Sequence, residues 1–427
     1  MPRHSVPAKP PPPASGSGAV SFDAIAWPPT ESQDATPLVR PRPLGPIHLK
    51  NRVVMPPMTR TRTTEGAHPA DGDMANELVA KYYGQRASAG LIISEVNDVD
   101  QSSHGYARIP GIHSEAQKRA WLPVTEAVHH RGGTIFMQLW HVGRLAHSSL
   151  LPNGQAPVGV TAEQAIGSEV FAHGPDGRLR FMGAEKPRPL GTDEVTAMVG
   201  TFAKAAANAR EAGFDGVEIH AANGYLIEQF MNSVLNTRTD RYGGGKLEDR
   251  TRFLMEVVEA VVAEIGPGGV GVRLSPFGKY GSMPADPLVE ETFLYVVEQL
   301  GQRGVAYIHL LYELLPDGNM ESATFKALHL DHRMLAKARA SFAGSFIWCG
   351  GFNDVERAQA ALDTGLVDLI AYGRPYIANP DLVERLRNGW PLAVADRSVY
   401  YTRNGEVGYT DFPPYVKKET TWRSELF

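Results

Sequence analysis

Three side chains in the middle of this chain carry more chemistry than packing requires. His220 closes the apolar run Gly216-Val217-Glu218-Ile219, and Asn223 and Tyr225 follow within one short turn. An imidazole and an amide can supply two hydrogen-bond donors and a phenol a weakly acidic proton, a set suited to polarising a carbonyl and protonating a carbanion. A hydrogen-bonded structural pair would satisfy the His-x-x-Asn spacing too, so the trio needs a context. Gln138 and Trp140 lie in Gln138-Leu139-Trp140-His141, where strand alternation sends both to one side and Leu139 to the other. The amide could hydrogen-bond a planar ligand edge, whereas Trp140 either faces that ligand or plugs a core. Arg273, within Gly271-Val272-Arg273-Leu274-Ser275, is a guanidinium in a strand-like run and must find a carboxylate or an anionic ligand. Gly350-Gly351 and Gly373-Arg374 let a backbone approach a phosphate closely and add a charge-assisted contact; a tight turn with a surface Arg is the bland reading.

These residues need a scaffold that brings them together from distant parts of the chain. From about residue 45 onward, short Val/Ile-rich runs alternate with helical patterns, the signature of repeated βα units around a parallel sheet. Eight strands are predicted: Arg52 to Pro56, Gly90 to Val96, Thr134 to Trp140, Gly216 to His220, Gly271 to Ser275, Ala306 to Leu311, Ser345 to Gly350 and Leu366 to Ala371. The fold class is therefore α/β, a (β/α)8 TIM barrel, with an N-terminal capping segment. A Gly-, Pro- and Ser-rich stretch from about Gly143 to Pro189 forms an excursion over the barrel mouth after the third strand. In Leu247 to Ile265, the residues Phe253, Leu254, Val257, Val258, Val261, Val262 and Ile265 recur at the helical period and predict one buried face. Ser114 with Gln117, and Asn353 with Glu356, resemble capping boxes at helix starts. Gly266-Pro267-Gly268-Gly269 precedes a strand, so it should end the long helix rather than cradle a phosphate. A doubly wound fold would need a Gly-rich turn between an early strand and its helix, and none is present; a nicotinamide must bind without a Rossmann domain. In the barrel, the loops after each strand converge on one face, which is where His220, Gln138, Arg273 and the glycine pairs would meet.

Composition narrows the partners. Of 427 residues, 43% are hydrophobic and 21% charged, ordinary for a soluble globular protein with a large core. A net charge of -5 without long basic runs argues against nucleic acid. The single cysteine, Cys349, rules out an intramolecular disulfide and any cysteine-based zinc cluster, and its apolar neighbours suit a buried small hydrophobe. No metal site is expected. Without an apolar run near the roughly 18 residues of a membrane span, a membrane role is not expected either, and a reduced, cytoplasmic compartment fits best. Residues 1–40 are Pro-rich and offer little to bury, so they form a disordered extension, with an organellar transit peptide the weaker reading. Residues 41–416 form the barrel and 417–427 a tail.

In combination the motifs resemble the old yellow enzyme family of FMN-dependent ene-reductases. The matching segments are Asn51-Arg52-Val53-Val54-Met55-Pro56-Pro57-Met58-Thr59-Arg60, Tyr83-Gly84-Gln85-Arg86-Ala87, Gly90-Leu91-Ile92-Ile93-Ser94-Glu95, Gln138-Leu139-Trp140-His141-Val142-Gly143-Arg144, His220-Ala221-Ala222-Asn223-Gly224-Tyr225, Arg238-Thr239-Asp240-Arg241-Tyr242-Gly243-Gly244 and Tyr372-Gly373-Arg374-Pro375. The resemblance runs from about Pro43 to Tyr415 and implies a tightly, non-covalently bound FMN. Pro57, Met58, Thr59 and Val96 would line the flavin, Gln138 would hold its pyrimidine edge, and Arg273 its N1/O2 side. Gly350, Gly351, Gly373 and Arg374 would hold its phosphate. It further implies that His220 and Asn223 bind the activating oxygen of an enone-type substrate, with Tyr225 giving the proton for net trans addition. Tyr106, Trp140, Tyr312 and Tyr401 would shape the substrate mouth. The implied reductant is NADPH, with NADH the other candidate, acting in ping-pong fashion in the same pocket. The protein is expected as a monomer or homodimer. The departures from the family pattern are the N-terminal extension, the Gly243-Gly244-Gly245-Lys246 loop, the Thr402-Arg403-Asn404-Gly405 stretch and the tail.

Two other classes compete. A non-flavin barrel isomerase or aldolase would share the phosphate loops but want a central Lys or carboxylate base. A flavin-binding sensor or scaffold protein would use the extension for interaction, which intact catalytic residues argue against.

Overall fold

The structure is a computed structural model that describes residues 36–65, 72–311, 333–401 and 405–416. Eight parallel strands close into a barrel in the order of the chain: β1 (Val53–Met55), β2 (Leu91–Asp98), β3 (Ile135–Trp140), β4 (Gly216–Ala221), β5 (Val270–Leu274), β6 (Tyr307–Leu311), β7 (Ser345–Cys349) and β8 (Leu369–Ala371), with β8 pairing back onto β1. Each predicted strand is present, and the shifts are at the ends. β5 starts one residue earlier, β8 is only three residues long, and β2 runs on to Asp98 because a bulge between Ile93 and Val96 resets its register with β3.

Strand alternation divides the side chains into two layers. Val53, Ile92, Met137, Leu139, Ile219, Val272, Leu310, Trp348 and Ile370 point outward into a continuous core shared with the helices. Val54, Leu91, Ile93, Phe136, Tyr307, Ile347, Cys349, Leu369 and Ala371 point inward. The inner layer is completed from below by an antiparallel hairpin, Arg42–Leu44 with Ile47–Leu49, whose Leu44 and Leu49 are 1% exposed and pack into it. This hairpin is the expected N-terminal cap, and it seals the end of the barrel away from the loops that follow the strands. Above it the rings of Phe136 and Tyr307 lie 5.9 Å apart; Gly271 makes the room, since a Cβ there would meet the Tyr307 ring at 2.1 Å.

Helix Leu247–Ile265 has the predicted bounds and packs on helix Thr192–Glu211. Phe253, Leu254, Val257, Val258 and Val261 are buried, whereas Val262 and Ile265, near the C-terminal end, are half-buried. It stops at Gly266, whose φ of 86° closes the turn into Pro267–Gly269 as expected. Ser114 and Gln117 form the reciprocal capping box. At the other expected cap the position moves by one: Asp354, not Asn353, is the N-cap, because its carboxylate accepts the Arg357 amide at 2.7 Å. The excursion after β3 folds into a hairpin, Glu169–His173 with Leu179–Gly183, and a short pair, Val158–Gly159 with Arg188–Pro189. No helix among the described residues is long and apolar enough to cross a membrane.

Candidate active site

The inner layer changes character one step above Phe136 and Tyr307. Gln138, Glu218 and His309 meet there without water access: the Gln138 amide donates from Nε2 to Glu218 Oε1 at 2.8 Å, and His309 Nδ1 lies 2.8 Å from Glu218 Oε2. Burial pulls His309 below the usual imidazole range despite its carboxylate neighbour, so the neutral ring donates through Nδ1. Glu218 thereby fixes the flip of the Gln138 amide, and Gln138 Oε1 is left buried with no partner. The alternation expected of Gln138, Leu139 and Trp140 is present, with Leu139 in the outer core.

Arg273 sits next to His220 in one register and His309 in the other. It is 6% exposed, its Nη2 reaches only the Cys349 thiol at 3.9 Å, and its Nε has no partner. Of the two partners that the sequence allowed, a carboxylate forms no salt bridge with it among the described residues. A buried cation left this way costs on the order of several kcal/mol, which points to an anionic or strongly polar ligand. Cys349 is buried, as expected, and burial raises its thiol.

His220 ends the inward face of β4 at 2% exposure. Burial, then the charge of Arg273, holds its imidazole well below the usual range. The Ala222 amide donates to its Nδ1 at 3.3 Å, which assigns the proton to Nε2 and makes that nitrogen a donor. The chain then makes a left-handed step at Asn223, φ 57°, rare for a side chain other than glycine. Two groups hold it. The Asn223 backbone amide donates to Ser275 Oγ at 2.8 Å, and Ser275 Oγ donates to Glu228 Oε1 at 2.8 Å, while the other carboxylate oxygen of Glu228 accepts the Gly224 backbone amide. Tyr225 comes next, at the start of helix Leu226–Met231. Its ring stands edge-on to Trp140 at 4.9 Å and to His220 at 5.0 Å. Tyr106 stacks on Trp140 at 6.1 Å, and its hydroxyl lies 2.8 Å from that of Tyr280. Burial pushes the Tyr225 phenol well above its ordinary range, and the neighbouring phenols Tyr106 and Tyr280 push it further.

Around this group, Pro57, Met58 and Thr59 are half-buried on the loop after β1, and the bulge in β2 sets Val96 at 7% exposure. Gly350 and Gly351, φ 126° and 76°, make a turn after β7 that only glycines adopt without strain. Gly373 opens the segment after β8 close to Met58, and Arg374 is exposed beside it. Tyr401 is 51% exposed and lies near Tyr280. Tyr312 lies outside the described residues.

The donor set fits FMN. An orphaned amide oxygen on Gln138 suits an imide N–H, the unpaired guanidinium of Arg273 suits the adjacent electron-rich N1/O2 edge, and the double-glycine turn suits a phosphate. Four residues at this site escaped the sequence reading. Glu218 had a signal, a carboxylate at an inward position of an apolar strand; Ser275, Glu228 and Tyr280 had none beyond their place near strand ends.

The model of the NADH:flavin oxidoreductase / NADH oxidase family matches residues 37–393. The 12-oxophytodienoate reductase 1 of Oryza sativa subsp. japonica is 42% identical over 384 residues, covering 89% of this chain and 93% of that protein. The structure of morphinone reductase superposes with a TM-score of 0.82 at 42% identity, covering 90% of this chain and 98% of that one. Morphinone reductase in complex with tetrahydroNAD gives 0.80 at 43% identity with the same coverage.

Proposed function

Since the chain belongs to the NADH:flavin oxidoreductase family that includes the old yellow enzymes, we propose that it is an NADPH-dependent ene-reductase acting on α,β-unsaturated carbonyls, with nitroalkenes and nitrate esters as secondary acceptors. The observation that carries this reading is the gathering of the His220 Nε2 donor, Asn223 and the Tyr225 phenol above a buried, unpaired Arg273 and an orphaned Gln138 oxygen.

Gln138, Arg273, the Gly350-Gly351 turn, Gly373 and Arg374 would hold FMN, with Pro57, Met58, Thr59 and Val96 along its ring. When bound, FMN supplies the hydride. His220 and Asn223 take the substrate oxygen, orient the alkene and draw charge from its β-carbon. A neutral imidazole suits this work, because a donor that carries no charge of its own costs little to keep buried. Tyr225 gives the proton to the α-carbon. Trp140, Tyr106 and Tyr401 bound the mouth, and NADPH uses the same pocket before the alkene, giving ping-pong kinetics. Similarity to a protein named 12-oxophytodienoate reductase supports an unsaturated, oxo-bearing acceptor.

The test is spectroscopic. Purified protein should be yellow, lose that colour to NADPH without oxygen, and regain it on addition of cyclohexenone. Tyr225→Phe should slow the return of colour by about 10²-fold, in the range for a general acid. Colourless protein that takes up no FMN would refute the reading.

A further inference from the structure

Tyr225 can give its proton once; a second turnover requires another. Its phenol is half-buried between Trp140 and His220, and a substrate seated on His220 and Asn223 would lie between it and the mouth. Burial makes phenolate costly at both Tyr225 and Tyr106, so an acid at this position must regain a proton as it gives one away. Two phenols beside it, Tyr106 and Tyr280, can do this and lead toward water. Tyr106 Oη and Tyr280 Oη are 2.8 Å apart, the Tyr280 ring centre is 6.2 Å from that of Tyr225, and Tyr280 is 43% exposed. Tyr280 is set on the loop after β5, in the 3-10 turn Tyr280–Ser282, whose carbonyls at Gly281 and Ser282 are pinned by the buried Arg144 at 3.1 and 2.9 Å. A large exposed aromatic on a turn fixed in this way keeps one hydroxyl in water and within reach of the inner pair.

We propose that Tyr280, with Tyr106, forms a phenol relay that returns a solvent proton to Tyr225 in each catalytic cycle. The proposal rests on the assignment of Tyr225 as the acid. As the Tyr225 O–H bond breaks and a C–H bond forms at the α-carbon, the Tyr106 proton passes to the Tyr225 oxygen and the Tyr280 proton to Tyr106. Tyr280 then takes a proton from water. No electrons are exchanged along the chain, and one solvent proton is consumed for each alkene reduced, the same proton that the overall reduction requires.

The test uses the FMN-loaded enzyme reduced by NADPH and mixed with cyclohexenone in H2O/D2O mixtures without oxygen. Wild-type enzyme should show a curved dependence of the rate of colour return on deuterium fraction, because more than one proton is in flight. Tyr280→Phe should slow colour return about tenfold relative to bleaching by NADPH, less than the roughly 10²-fold of a group that gives its proton directly to substrate, and make that dependence linear. Tyr280→His, which puts another exposed proton carrier at the position, should recover most of the loss. An unchanged ratio and curvature in Tyr280→Phe overturns the relay, as does equal slowing of bleaching and colour return by both variants, which marks a packing role. Wild-type protein that never regains colour with the enone defeats the parent reading instead.

Discussion

At the scale of single residues, the site depends on one left-handed step. Asn223 adopts φ 57°, and the hydrogen bonds from its amide to Ser275 Oγ and from Ser275 to Glu228 keep it there. Such a conformation costs on the order of 1 kcal/mol or more in a residue with a side chain and persists only where neighbours fix it. Ser275→Ala removes the acceptor of the Asn223 backbone amide and one of the donors to the half-buried carboxylate of Glu228. The expected outcome is a roughly tenfold weaker affinity for cyclohexenone, about 1.4 kcal/mol, with FMN content unchanged; titrating the flavin spectrum of the holoenzyme with the ligand measures it. Ser275→Thr, which keeps the hydroxyl, should bind close to wild type. An unaltered affinity in Ser275→Ala would mean that the turn holds itself.

At the scale of elements, the segment before helix Glu77–Gln85 is tied to the C-terminal region by two arginines. Arg60 donates to the carbonyls of Tyr400 at 3.0 Å and Gly408 at 2.8 Å and to the Tyr82 hydroxyl at 2.9 Å, while Arg62 donates to the carbonyl of Val399 at 3.2 Å. Under this strap lies Glu95, wholly buried, which accepts the Arg60 amide at 3.2 Å. Burial outweighs the hydrogen bond and the two cations, and pushes its carboxyl up to about 7. A carboxyl raised on folding binds more protons in the native state than in the unfolded chain. Its contribution is therefore complete below the unfolded value near 4.5 and is lost as pH climbs to about 7. Glu95→Gln keeps an oxygen for the Arg60 amide and has nothing to ionise. Urea unfolding with saturating FMN should find the variant gaining on wild type from pH 5 to pH 8, by up to about 3 kcal/mol. A gap that stays constant over that interval would exclude Glu95 as the titrating group.

At the scale of the whole molecule, the barrel and most of the site were legible in the sequence, because periodicity reports which way a side chain faces. Alternation put Gln138 and Trp140 on the side opposite Leu139, and the helical period gave Leu247–Ile265 its bounds. What could not be read were partners from different βα units. Ser275 and Asn223 are 52 positions apart and Tyr106 and Tyr280 are 174 apart, and no local pattern records which loops meet over the mouth. The cap at Asp354 was missed for a smaller reason: two adjacent residues, Asn353 and Asp354, can each accept a helix amide, and only the backbone decides between them. The Arg42–Leu49 hairpin has a further effect. With Leu44 and Leu49 filling the far end of the barrel, that end offers no passage, and on the proposed function reductant and acceptor share the mouth opposite. Steady-state rates should therefore fall at high cyclohexenone, and raising NADPH should restore them; inhibition that NADPH cannot relieve would require a second entrance. The plug would leave the proposed site a cul-de-sac that one substrate must vacate before the other enters.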